Sequence, residues 1–180
     1  MTDISASILH SINDIEPDIW DQCANAAGTY NPFVRHKFLA ALETSGSVSE
    51  ATGWQPFHLQ VAKGSQNIGV VPMYLKSHSQ GEYVFDYAWA DAWYRAGGRY
   101  YPKLQVSVPF TPATGPRLLC DQNNTEHQQL LLQACQQVAQ QAKVSSLHMT
   151  FMTESQWHLA GSQGLLRRMD QQFHLSLIHI

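Results

Sequence analysis

The stretch from residue 57 to residue 75 limits the possible folds more than any other part of the chain. Phe57, Leu59 and Val61 alternate with His58 and Gln60, the two-residue period of a strand with one buried face. Lys63-Gly-Ser-Gln-Asn67 is turn-like, and residues 68–75 are apolar on both faces, so a hairpin feeds a central strand. Pro72 falls inside that strand and has no N–H to give to a ladder. The strand must therefore bulge, splay or leave a partner there.

Around this hairpin the pattern alternates. Residues 4–12 read as an opening strand, after which Asp14 is placed to cap a short helix through Trp20 to Ala24 with Pro17 in its first turn. Asn31-Pro32 predicts a second helix whose Val34, Phe38, Ala41 and Leu42 share one face and which stops at Gly46. A strand over 83–86 leads into an aromatic helix over 87–95 that ends at Gly97-Gly98. Residues 104–108 are β-like, 109–116 form a loop and 117–119 resume extended structure. Thr125 is expected to cap a helix striped by Leu131, Cys135, Val138 and Ala142, with the many glutamines of 128–141 on a solvated face. A strand over 146–151, a helix over 154–160 and two strand pieces within 165–174 complete the order. Strands alternating with helices give an α/β (α+β) fold, a mixed sheet flanked by helices.

A formal charge of -3 and a pI near 6.3, with no basic run beyond Arg167-Arg168, offer no field for a polyanion, so DNA is not an expected partner. The start of the chain lacks the pattern of a signal peptide and no apolar stretch is long enough to span a bilayer, so a soluble, cytoplasmic protein is expected. Cys23, Cys120 and Cys135 are odd in number and widely spaced. They predict small core residues, with neither a disulfide frame nor a metal site.

No GxxxxGK[ST], GxSxG, HExxH or strand-linked GxGxxG is present. The densest concentration of unusual residues is Phe85-Asp-Tyr-Ala-Trp-Ala-Asp-Ala-Trp-Tyr-Arg95, then Arg99-Tyr-Tyr-Pro-Lys103, then Pro109-Phe-Thr-Pro-Ala-Thr-Gly-Pro-Arg117. Aromatics with polar handles, carboxylates and cations can line a cleft for a polar, extended substrate. Asp86 is the candidate general base on an amine. Trp89, Asp91, Tyr94, Tyr101, Lys103, Thr111 and Arg117 are the candidate substrate-binding residues, with Lys103 or Arg117 suited to a carboxylate or phosphate. A plainer reading packs the aromatics onto the sheet and pairs Asp86 and Asp91 with Arg95 or Arg99. His148, among strand apolars, is expected to be a core histidine bonded to a backbone carbonyl.

These blocks, with Asn31-Pro-Phe33 and Phe38-Leu-Ala-Ala-Leu-Glu-Thr-Ser-Gly46, resemble the bacterial FemAB-like family of peptidoglycan biosynthesis and recognition, from about residue 8 to His174. The resemblance implies the GNAT superfamily. FemAB-type relatives there carry two GNAT-like halves and transfer acyl or aminoacyl groups from acyl-CoA or aminoacyl-tRNA to amines. Residues 1–174 would then be an N-terminal GNAT-like domain, the first half of a tandem architecture, with a C-terminal GNAT-like half as its missing partner. The implied acceptor is an amine-bearing small molecule or peptide, bound by region 85–117. The alternative is a GNAT-like module that recognises a peptide or glycopeptide without catalysis. No [RQ]xxGx[GA] turn for a CoA pyrophosphate occurs, so no cofactor is assigned to this stretch itself.

Leu175-Ser-Leu-Ile-His-Ile180 is the in-frame translation of CTG TCT CTT ATA CAC ATC, the end sequence of a transposase-based sequencing adapter. A non-native tail over 175–180 is therefore expected. Asp86→Asn and Lys103→Met are expected to lower activity of the intact protein without unfolding it.

Overall fold

The computed structural model describes residues 4–26, 30–84 and 86–169. Among them are seven strands and five α-helices in two sheets. The first sheet is antiparallel, in the order β1 (Ile4–Leu9), β3 (His58–Lys63), β4 (Gln66–Val71). The second runs β2 (Trp54–Pro56), β5 (Met73–Lys76), β6 (Lys103–Val106), β7 (Leu147–Met149), antiparallel except for the parallel pair β6 and β7. One mixed sheet was expected, and Pro72 is the reason there are two. It separates β4 from β5, and the chain leaves the first sheet to enter the second. The Met73 N–H, at the seam, is taken by His58 Nδ1 at 3.3 Å. That bond makes Nδ1 the acceptor and leaves Nε2–H to donate to Glu43 Oε1 at 3.1 Å.

Helices cover both sides. Leu131, Leu132, Cys135 and Val138 of α4 (Thr125–Gln141) and Ala160 of α5 (Glu154–Ser162) pack on Leu59, Val71, Met73, Leu104 and Val106. On the other side Trp20 of α1 (Pro17–Ala24) and Leu39 of α2 (His36–Thr44) pack with Ile12, Val70 and Leu119. Gly69 permits this layering: a Cβ there would lie 2.7 Å from the Leu119 carbonyl oxygen.

Several local expectations shift. Asp14 does not cap α1; Ser11 and Asp14 form a capping box around a 3-10 turn at Ile12–Asp14, and Glu16 with Pro17 opens α1. Asn31 caps only a 3-10 turn, Pro32–Val34, and α2 restarts at His36. The restart rotates the helix face, so His36 and Leu39 are buried while Ala41 is exposed. Asn124 caps α4, placing Thr125 inside it. Ala142, expected in the stripe, is the exposed C-cap, and Gln128, expected on the solvated face, is buried and donates to the Gln122 carbonyl. Tyr83, Val84 and Asp86 are not a strand, since Tyr83 has φ 55° and the stretch is a loop. Residues 117–119 contribute one isolated bridge, Leu119 to Val70. Residues 165–169 are irregular. The remainder of the predicted strand pieces and the 175–180 tail lie outside the described residues.

Candidate functional site

Strand alternation builds the site. Leu104 and Val106 of β6 point with Met73 into the α4 core, so Lys103 and Gln105 face the other way. Lys76 and Tyr74 of β5 stand opposite them, with Trp54 on β2 beside Lys76 and His148 on β7 beside Gln105. This face of the second sheet is polar and nevertheless covered, because the loop between β5 and α3 (Tyr87–Arg95) folds over it.

That loop supplies the groups that hold Lys103. Its Nζ, fully buried, donates to Asp86 Oδ2 at 2.7 Å, Glu82 Oε2 at 2.8 Å and Ser79 Oγ at 2.9 Å. Ser79 Oγ donates to Asp86 Oδ2 at 2.8 Å, and so does Tyr100 OH at 2.8 Å. With its own proton committed to Asp86, Ser79 accepts from Tyr101 OH, 2.6 Å away. The peptide between Tyr101 and Pro102 is cis. Three of the four members of Tyr-Tyr-Pro-Lys thus converge on one carboxylate–serine–ammonium cluster.

The donors here are spent and acceptors are in surplus. All three Lys103 protons and the Ser79, Tyr100 and Tyr101 hydroxyl protons are committed, whereas Glu82 Oε1, Asp86 Oδ1 and Gln105 Oε1, and the Ser107 hydroxyl farther along the chain, are buried without a hydrogen-bond partner among the described residues. The two carboxylates respond differently to one ammonium. Burial opposes ionisation of Asp86, but bonds from Lys103, Ser79 and Tyr100 outweigh it and hold its pKa below the usual value. Glu82 has Lys103 as its hydrogen-bond donor, and burial wins, raising its pKa. Burial, then the hydrogen bond to Asp86, pushes the Tyr100 phenol well up.

Lys76 differs from its neighbour. Its Nζ sits 3.5 Å over the Trp54 ring and 3.3 Å from the Gln80 carbonyl oxygen, to which Trp54 Nε1 also donates at 3.1 Å. Burial lowers its pKa to about 7, with Lys103 adding to the effect and Glu82 opposing it.

Of the residues expected from sequence, Asp86, Tyr101 and Lys103 come together. Trp89, Asp91 and Tyr94 do not join them: they lie exposed on α3, where Asp91 pairs with Arg95. Thr111 is half-buried in the 109–116 loop, its hydroxyl on the Pro109 carbonyl. Arg117 is buried in a cage of carbonyls, donating to Ala113 and Thr150 at 2.8 and 2.9 Å and to Gly115 and Pro116 at 3.3 and 3.2 Å. Burial lowers its pKa to about 10, and its role there is to staple the loop to the end of β7. His148 is half-buried, edge-on to Tyr100, and burial lowers its pKa to about 4; the carbonyl bond expected for it is not among the contacts of the described residues. The three cysteines are free, Cys120 and Cys135 buried and Cys23 half-buried. Lys76, Ser79, Glu82 and Tyr100 were missed as site residues. A polar run of Lys76-Ser-His-Ser-Gln-Gly-Glu82 directly after an apolar strand was their one signal.

Shape alone points elsewhere. A groove of about 460 Å³ lies between Gln133, Gln136 and Gln140 of α4 and Leu147 and Leu165, and has no titratable group in its lining. The Lys103 cluster, with its buried ionisable groups, is the candidate site on chemical grounds.

Comparison with known proteins gives the family. Residues 11–178 match the FemAB-like family, described as peptidoglycan biosynthesis/recognition. The chain belongs to that family. The FemAB-like match spans every element from the first 3-10 turn to α5, including the whole of the Lys103 cluster. No curated protein and no solved structure matches the chain. The two sheets flanked by helices are those of a mixed α/β, GNAT-like fold. Among the described residues no helix is long and apolar enough to cross a membrane.

Proposed function

We propose that this FemAB-like chain serves acyl or aminoacyl transfer to an amine, and that the Lys103 cluster binds the ammonium end of a peptidoglycan-related acceptor. One observation carries this reading: the protons of Lys103, Ser79, Tyr100 and Tyr101 are all committed while Glu82 Oε1 and Asp86 Oδ1 have no partner among the described residues, so the site is complementary to a ligand that brings N–H donors and positive charge. The neighbouring loop, with Phe110 against Trp54 and Gly81, and the phenols of Tyr100 and Tyr101 give the ligand an apolar and aromatic surround. Acyl-CoA and aminoacyl-tRNA are the donor classes that the family analogy supplies.

The bonds that keep Asp86 ionised make it a holder of the amine more than a base. The same arrangement would serve a module that recognises an amine-bearing peptide without transfer. The two are separated by incubating the protein with labelled acetyl-CoA or alanyl-tRNA and muropeptides that carry a free side-chain amine. Label in the peptide that falls about tenfold or more in Glu82→Gln supports transfer at this site. Binding of the muropeptide with no label transferred from either donor supports recognition alone, and absence of both ends the amine reading.

A further inference from the structure

Lys76 has a separate task in the site. It is the cross-strand partner of Lys103, so two lysines of adjacent strands occupy one covered face. Lys103 takes both carboxylates; Lys76 has no carboxylate within ion-pair distance among the described residues and rests on an aromatic ring and a carbonyl that Trp54 already serves. The charged groups facing it are Lys103 from β6, Glu82 from the covering loop, and His78 from the same loop. The loss of water, against the Glu82 charge and with repulsion from Lys103 added, disfavours its ammonium form.

An ammonium must lose a proton before its nitrogen can attack an acyl carbon. Asp86 is held ionised by three donors and is a weak base for that purpose. We infer that Lys76, as a neutral amine, is the group that takes the proton from an ammonium bound between Glu82 and Asp86. The inference rests on the amine reading of the site. The bound R–NH3+ and Lys76–NH2 become R–NH2 and Lys76–NH3+. The freed lone pair then forms the C–N bond to the acyl carbon, the bond from that carbon to the thiol or ribose oxygen of the donor breaks, and the leaving group departs with the second nitrogen proton. Lys76 returns its proton to solvent.

The test uses methylammonium as the probe, followed by calorimetry from pH 6 to pH 8 in buffers of different ionisation enthalpy. A bound cation beside Lys76 competes with protonation of Lys76, so affinity should rise roughly tenfold across this interval with proton release at the acid end. Lys76→Arg, which keeps charge and ring contact but cannot deprotonate, should bind more weakly and without that pH dependence. In the wild-type chain labelled with 15N-lysine, one Nζ resonance should titrate with a midpoint near the value of about 7 and move when methylammonium is added. Methylammonium binding that is flat with pH, or whose pH dependence survives in Lys76→Arg, overturns the role of Lys76 and leaves the amine site standing. No binding at any pH removes the amine reading and this inference with it.

Discussion

Lys103 is the residue on which the cluster depends for stability as well as chemistry. Two carboxylates are buried beside it, and each is tolerable only while the ammonium compensates it. Lys103→Met, expected from the sequence to spare the fold, should therefore cost about 3–5 kcal/mol in chemical denaturation. The triple variant Lys103→Met, Glu82→Gln, Asp86→Asn should recover part of that loss, because it removes the uncompensated charge with the cation. A triple variant no more stable than the single one would show that packing around the lysine stem, not charge, is what the site needs. The reason this was only half legible in sequence lies in distance along the chain. Tyr100, Tyr101 and Lys103 are contiguous and aromatic, and they stand out. Ser79 and Glu82 are ordinary loop residues until the strand order places β5 and β6 side by side, and nothing local marks a lysine as buried.

Elements are tied together by a half-buried carboxylate, Glu43 of α2. It accepts from Ser11 Oγ at 2.7 Å, from Ile12 N at 3.0 Å and from His58 Nε2 at 3.1 Å, joining α2 to the end of β1 and to β3. Burial opposes its ionisation, but the bonds from His58 and Ser11 prevail and its folded pKa lies below the usual 4.5. A lowered carboxylate pKa adds stability that is complete above pH 4.5 and is lost as the pH falls through the folded value. Glu43→Gln should cost about 2 kcal/mol at neutral pH and flatten the acid limb of the stability curve between pH 5 and pH 3, about the scale of hydrogen bonds to one charged group. An acid limb unchanged by the substitution would assign it to other carboxylates. At this scale the sequence spoke clearly where chemistry forbids alternatives. Pro72 had to break a ladder, and it does so by sending the strand into another sheet. It spoke falsely where a good local signal served a shorter element: Asn31 caps a 3-10 turn and Asp14 closes the capping box of another, and the helices after them start later than expected.

The molecule as a whole presents α3 in an unusual way. Ala90 is its buried residue, while Tyr87, Trp89, Trp93 and Tyr94 are each at least half exposed, with Trp89 at 61%. An aromatic helix of this kind beside a buried polar cluster is a large uncovered apolar patch, and such patches favour association. Two of the five tryptophans, Trp20 and Trp54, are buried, so acrylamide should quench two distinct populations of fluorescence. Light scattering should show the mean mass rising with concentration, and the double variant Trp89→Arg, Trp93→Arg should abolish the rise with an unchanged circular dichroism spectrum, since arginine is a good helix former. Both side chains are exposed, so the substitutions leave the Lys103 cluster intact. Methylammonium affinity in the double variant therefore separates two roles for the helix. Equal affinity makes α3 a surface for other molecules, whereas a loss would mean that its aromatics close over the ligand in the site itself.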